Sequence, residues 1–156
     1  MLGPRLRWQV MTTVHASAVL VGARAVLIRG PSAAGKSRLA WELIEASRNG
    51  AVRFARLVGD DRVHLQAAGG RLLVRPAEAL TGMIELRGIG ILRRDHEPCA
   101  VVGLVVDLAA MDAERLPEDG QTIIEGVAIP RLAVAPGVAA LPLVLAVVTS
   151  AVPAVS

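Results

Sequence analysis

The chain has 156 residues, 53% of them hydrophobic but only 2% aromatic, and a formal net charge of +3. One domain of that length buries a sizeable core, which here has to be built from Val, Leu, Ile and Ala, a composition suited to a sheet covered by helices. A single cysteine, Cys99, excludes an intramolecular disulfide and a cysteine zinc site, and 17 basic residues scattered among 14 acids read as solvated surface, not as a nucleic-acid stripe.

In chain order, residues 1–11 are expected to form a disordered N-terminal extension to a single domain over 12–156. The apolar run after Met11 is broken by His15, Arg24 and Arg29, which makes a poor signal peptide. Val14 to Val21 reads as one strand, turning at Gly22-Ala23 into a second, Arg24 to Arg29. A glycine-rich loop leads into a helix from about Lys36 to Ser47, with Leu39, Leu43 and Ala46 on one face and a stop at Asn49-Gly50. Phe54 to Val58 is a strand ending at Gly59-Asp60-Asp61. Arg62 to Gln66 and Arg71 to Arg75 read as a hairpin around Gly69-Gly70, followed by a short helix or turn over Ala77 to Thr81. Met83 to Leu86 is a strand, Arg93 to Glu97 a solvated loop, and Ala100 to Leu108 the strongest buried strand. Asp112 to Gln121 is a polar loop and Ile123 to Ile129 a short strand. From Leu132 to Ser156 no charge occurs. Pro136, Gly137, Pro142 and Pro153 interrupt that stretch, so it is expected to be a buried helix, at a subunit interface, and not a membrane span. The fold class is α/β, a P-loop domain with a mixed, strand-rich sheet and not a plain alternation of strands and helices.

Lysine occurs once, in Gly30-Pro31-Ser32-Ala33-Ala34-Gly35-Lys36-Ser37; every other basic side chain is arginine. The spacing is G-x-x-x-x-G-K-S between a strand and a helix, the context in which backbone N–H groups and the helix N-terminus cradle phosphate. Lys36 would reach the β- and γ-phosphates and Ser37 would hold Mg²⁺. Asp60 and Asp61 end an apolar strand, at the sheet edge where α/β ligand sites form. Two acids there allow one to order the metal and the other to take a proton. Glu85 lies inside an apolar strand, where a carboxylate is costly unless paired or metal-bound, and Arg87 follows two residues on. His15 precedes the loop and would orient an acid or serve the core. His64 and His96 are assigned no function.

These motifs resemble the catalytic domain of HPr kinase/phosphorylase. The resemblance rests on Val14-His15-Ala16-Ser17, Gly30 to Ser37, Leu57 to Val63 and Ile84 to Ile91, which occur in the family's order. It implies a fold similar to phosphoenolpyruvate carboxykinase and a cytoplasmic, ATP-dependent serine kinase, with or without phosphorolysis, acting on the phosphocarrier HPr in the phosphotransferase system. It further implies Lys36 and the loop on the nucleotide, Ser37 and Glu85 as magnesium ligands, Asp60 as catalytic acid/base, and Asp61 supporting the metal or Asp60. His15 would stand near that acid, and Arg87 would match the arginine of the signature strand. Like the family, the chain would be a homo-oligomer, a hexamer, in a short form without the N-terminal domain of longer members. Of the family's later Arg- and Gly-rich loop only Arg131 remains within 129–137. Two alternatives stay open: a nucleotide-binding regulatory protein with degenerate catalysis, and a small-metabolite P-loop kinase.

Overall fold

The structure, a computed structural model, describes residues 11–113 and 120–150. The expected N-terminal extension, most of the polar loop and the last residues of the uncharged tail therefore lie outside the described residues, apart from Met11 and the ends of that loop.

In chain order the elements are β1 (Thr12–Val14), β2 (Ser17–Val21), β3 (Arg24–Arg29), α1 (Lys36–Arg48), β4 (Ala55–Gly59), β5 (Val63–Ala68) and β6 (Arg71–Pro76). A 3₁₀ turn (Glu78–Leu80) comes next, then β7 (Met83–Leu86), β8 (Gly90–Arg93), β9 (Ala100–Asp107), β10 (Gln121–Ile124), β11 (Val127–Ala133) and α2 (Ala140–Val148). One sheet runs β1-β5-β6-β9-β3-β2-β4, with β11 also on β9 and β10 on β11; β7 and β8 form a separate ribbon.

Strand direction fixes the edge at which each loop emerges. β9 is parallel to β3 (Val26 opposite Leu104) and to β11 (Leu132 opposite Val106). β2 is antiparallel to both β3 and β4. Hence β3, β4, β9 and β11 all end at the same edge of the sheet.

The central strands are buried on both faces, which is why they read as unbroken apolar runs. Alternate residues serve opposite cores. Val26 and Ile28 of β3, with Leu104 and Val106 of β9, pack under the helices against Leu39, Leu43 and Val144. Ala25, Leu27, Val102 and Val105 face the other way, against Leu65, Leu72 and Val74 of the β5–β6 hairpin. One sheet face is thus covered by helices and the other by strands, the mixed arrangement expected. Helix α1 buries Leu39, Ala40, Leu43, Ile44 and Ala46, each large side chain contributing about 1.5–3 kcal/mol. Asn49 caps its C-terminus, and Gly50 follows with φ +85°, the left-handed turn that ends a helix.

Four expectations are corrected. Val14 to Val21 is not one strand: β1 pairs with β5 and β2 with β3 and β4, so the chain breaks at His15-Ala16 to step between two branches of the sheet. Ile123 to Ile129 is two strands, because Glu125 (φ +50°) and Gly126 (φ +79°) form a tight turn between β10 and β11. Arg93 to Glu97 is no free loop. Arg93 closes β8, His96 bridges to Leu57, and Glu97 accepts a 2.9 Å bond from Arg56. Finally, the tail helix is short and only partly buried: α2 has 9 residues, of which Val144 alone is fully enclosed, while Leu143 and Val147 stay 40% and 46% exposed. No helix among the described residues is long and apolar enough to cross a membrane.

Candidate functional site

The four parallel strands deliver their following loops to one edge, the crevice position of an α/β sheet. β3 delivers the glycine loop, β4 delivers Asp60 and Asp61, β9 delivers Leu108 and Ala109, and β11 delivers Val134 to Ala139.

The loop is built for close approach. A Cβ on Gly30 would stand 3.1 Å from Leu108 Cβ and 3.2 Å from both Ala34 Cβ and the Leu108 carbonyl, so any other residue here would have to push Leu108 or Ala34 aside. Gly35, with φ +97°, turns the chain into α1 as its N-cap, and no side chain caps the helix. The first N–H groups of α1 therefore face the crevice with the positive end of the helix dipole behind them. No acidic residue opposes them in the first turn. Lys36 Nζ donates to the Gly30 carbonyl (2.9 Å) and the Pro31 carbonyl (3.2 Å), which folds the ammonium over the loop.

Asp60 is the most constrained group in the site. It is 3% exposed. Ser37 Oγ donates across both its oxygens (2.7 and 2.9 Å), Ser17 Oγ donates to Oδ1 (2.6 Å), and the Glu85 backbone N–H donates to Oδ2 (3.0 Å). Three donors from β2, α1 and β7 thus compensate a buried carboxylate, each bond worth about 1.5–3 kcal/mol when one partner is charged. These contacts join the loop serine and the signature ribbon at one carboxylate. Asp61 differs sharply from its neighbour. It is exposed, adopts φ +69°, and lines the cleft. A non-glycine residue in the left-handed region carries a strain of about 1 kcal/mol, the kind of outlier that clusters at functional sites.

The other expected residues are more dispersed. Glu85 is exposed and its side chain lines the same cleft. Arg87 lines it too, from the turn between β7 and β8 instead of from the strand, and no Glu85–Arg87 ion pair forms among the described residues. His15 sits exposed at the break between β1 and β2, outside the cleft lining, and no hydrogen bond joins it to Asp60. No cluster of three His, Cys, Asp or Glu side chains suited to a metal occurs among the described residues. A nucleotide-borne Mg²⁺ does not need one, since it takes one or two carboxylates together with phosphate oxygens and water. The hard oxygens of Ser37 and Glu85, which line the cleft, fit that ion, with Asp60 bonded behind Ser37.

Two groups of residues were not foreseen. Ser17 is fully buried and holds Asp60; a hydroxyl inside the apolar run Ala16 to Val21 was the available signal, the same one that singled out Glu85. The second is an ion network at the strand ends. Arg29 grips Asp107 with two bonds (2.7 and 2.8 Å), and Arg131 bonds Asp107 (2.5 Å) and, by two bonds of 3.0 Å, Asp112. Burial opposes ionisation of Asp107, but the two guanidinium groups outweigh it and hold the carboxyl below its ordinary value. The bonds from Arg131 likewise hold Asp112 low. Bonds to Asp112 and then Asp107 push Arg131 further up. The network clamps β3, β9 and β11 just where their loops depart.

All of these loops open onto a cleft of about 1320 Å³ whose lining includes Lys36, Ser37, Asp61, Glu85 and Arg87. The fold that presents it is a mixed α/β fold with a strand-rich sheet, and a solved structure shares it: the Hpr(Ser) kinase/phosphatase from Coxiella burnetii, at TM-score 0.70 and 26% identity over 88% of each chain. The family model described as the HPr Serine kinase C-terminal domain matches residues 8–148, and the chain belongs to that family. Curated relatives named HPr kinase/phosphorylase include one from Streptococcus thermophilus, 43% identical over 82 residues (52% of this chain, 24% of the relative). Another, from Exiguobacterium, is 35% identical over 117 residues (68% of this chain, 34% of the relative). The matched part thus spans about a third or less of these relatives' length.

Proposed function

We propose that this chain is a cytoplasmic P-loop kinase of phosphoenolpyruvate carboxykinase-like fold, which transfers the γ-phosphoryl group of ATP to a serine of an HPr-like phosphocarrier. The observation that carries the proposal is the Ser37–Asp60 contact beside the folded-over Lys36, in a chain of the HPr serine kinase family. A serine of the glycine loop bonded to the acid at the end of β4 is the pair that organises a nucleotide's metal in phosphoryl-transfer sites.

Lys36 and the free backbone N–H groups of the glycine loop and the start of α1 orient the phosphates and offset their charge. Ser37 and Glu85, with Asp60 bonded behind Ser37, would hold Mg²⁺, which would supply further neutralisation of the phosphoryl oxygens. The substrate hydroxyl must lose its proton to a carboxylate as its oxygen attacks phosphorus and ADP leaves. The resemblance gives that role to Asp60. The geometry favours Asp61, because Asp60 is buried and already accepts from three donors whereas Asp61 faces the cleft. We therefore assign Asp60 to the metal side and Asp61 to proton transfer, with Ser17 positioning Asp60 and Arg87 on the incoming phosphoryl or phosphoserine group. His15, which the resemblance places near the acids, lies two residues before Ser17, the donor to Asp60, and lines no part of the cleft. The exposed Leu143 and Val147 of α2 are side chains that a subunit contact would cover, which supports the expected homo-oligomer.

The test is transfer of label from γ-labelled ATP with Mg²⁺ to purified HPr, alongside a competent control kinase. Label on HPr is expected; its absence, with the control active, removes the proposal. A second reading has one observation in its favour. Arg131, the lone basic group of its region, is occupied by Asp107 and Asp112, which withdraws it from phosphate. Tight ATP binding without turnover would make the chain a nucleotide-binding regulatory protein.

A further inference from the structure

We infer that the cleft seats the nucleobase on the β9–β11 side of the glycine loop, and that this seat does not discriminate adenine from guanine. The inference rests on the proposed nucleotide site and adds its donor class.

The sheet order sets the two ends of the cleft. The glycine loop follows β3, which lies between β9 and β2, with β4 beyond β2 and β11 beyond β9. The acids that handle the transferred phosphoryl follow β4, so the γ end of a bound triphosphate lies on the β4 side. The opposite end then runs toward β9 and β11. A volume of about 1320 Å³ exceeds what a triphosphate alone would fill and reaches the size of pockets that enclose whole drug-sized ligands.

The lining changes character between those ends. The polar and charged side chains of the cleft come from the glycine loop, α1, the loop after β4, and β7 with the turn after it. Beyond β9 and β11 the lining is Leu108, Val134, Pro136, Val138, Leu141 and Pro142, with glycine and alanine between them. No side chain there can donate or accept a hydrogen bond. Part of the local backbone is also engaged. The N–H groups of Leu108, Val134 and Val138 bond to Arg29, Asp107 and Ala135, and the Val134 carbonyl accepts from Ala110.

Adenine and guanine share one bicyclic ring system of nearly the same size, and differ chiefly in the donors and acceptors on their edges. A site that hydrogen-bonds a substrate group rejects the analogue lacking it by about 10⁴–10⁵, whereas an apolar pocket separates near-isosteres by about 10² at most. A wall of Leu, Val and Pro gains affinity from either purine by burial and cannot tell them apart.

Calorimetric titration of the full chain with Mg²⁺ and, in turn, ATP, GTP and inorganic tripolyphosphate tests this. Dissociation constants for ATP and GTP within about fivefold are expected, with tripolyphosphate at least about tenfold weaker. Val138→Asn, at a side chain 49% exposed and so harmless to folding, should weaken both nucleotides about three- to tenfold and leave tripolyphosphate unchanged. A preference for ATP over GTP beyond a hundredfold, or tripolyphosphate binding as tightly as ATP, overturns the inference while leaving the phosphate site intact. If none of the three ligands binds, the nucleotide reading falls and this inference with it.

Discussion

The two flanks of the glycine loop are built from the same kind of element, a strand parallel to β3 ending at the same sheet edge, and they carry opposite chemistry. After β4 come Gly59-Asp60-Asp61, with Asp60 gripped by Ser17, Ser37 and the Glu85 N–H. After β9 and β11 come Leu108-Ala109 and Val134-Ala135-Pro136, apolar and held by their own backbone bonds. The charges on the second flank, Arg29, Asp107 and Arg131, are consumed in fixing the strands themselves. The difference teaches where reactive charge is placed. One side of the loop concentrates carboxylate and hydroxyl oxygens, and the other offers apolar surface. On the proposed function, such sorting would keep a transferred phosphoryl group among charges while the remainder of its donor rests against hydrocarbon.

The sharpest way to break the comparison is to neutralise the acids one at a time. Asp61→Asn should leave Mg²⁺-dependent nucleotide binding in place and lower the transfer rate about 10²–10⁴-fold, read as single-turnover phosphorylation of HPr. Asp60→Asn should instead weaken the Mg²⁺ dependence of binding. A fully active Asp61→Asn, with Asp60→Asn inactive but binding normally, would return the proton-transfer role to Asp60. Next in size, Lys36→Ala removes the only ammonium at the loop and should lower transfer about 10²–10³-fold, with calorimetric nucleotide binding lost in parallel. Unchanged binding would show that the loop does not hold the phosphates.

Stability changes are smaller. Leu43→Ala, at a fully buried position of α1, should cost about 2–5 kcal/mol in denaturant unfolding. Leu143→Ala, at a side chain 40% exposed, should shift the monomer by about 0.5 kcal/mol or less. Arg131→Met should cost about 1–3 kcal/mol by stripping Asp107 of one partner. The Asp107 carboxyl is held below 3.8 in the folded chain, so its contribution is present above that pH and is lost as the pH falls through its lowered value. The difference in stability between the wild type and Arg131→Met should therefore shrink below pH 3.8. A constant difference down to lower pH would mean that the Arg131–Asp107 bond adds nothing.

Legibility followed the range of the interactions. The Gly22-Ala23 and Gly69-Gly70 turns, the extent of α1 and the buried run of β9 were readable because each depends on neighbours a few residues apart. The Glu125-Gly126 turn was also local, but the apolar residues around it masked it as a single strand. The step at His15-Ala16 could not be read, since β1 and β2 differ only in which distant strand each joins. β8 was missed because Gly90–Arg93 shows its strand character only when laid against β7.

The site divides in the same way. A glycine loop with its one lysine, two acids behind a strand and a carboxylate within another are signatures that the chain carries on its own, because covalent spacing alone brings loop, lysine and serine together at the head of a helix. Only the folded sheet made Asp60 the partner of both Ser17 and Ser37, left Asp61 facing the open cleft, and set an apolar wall opposite the acids. Those outcomes depend on which strands lie side by side, and strand order is decided by packing among residues far apart in the chain, where no local pattern records it.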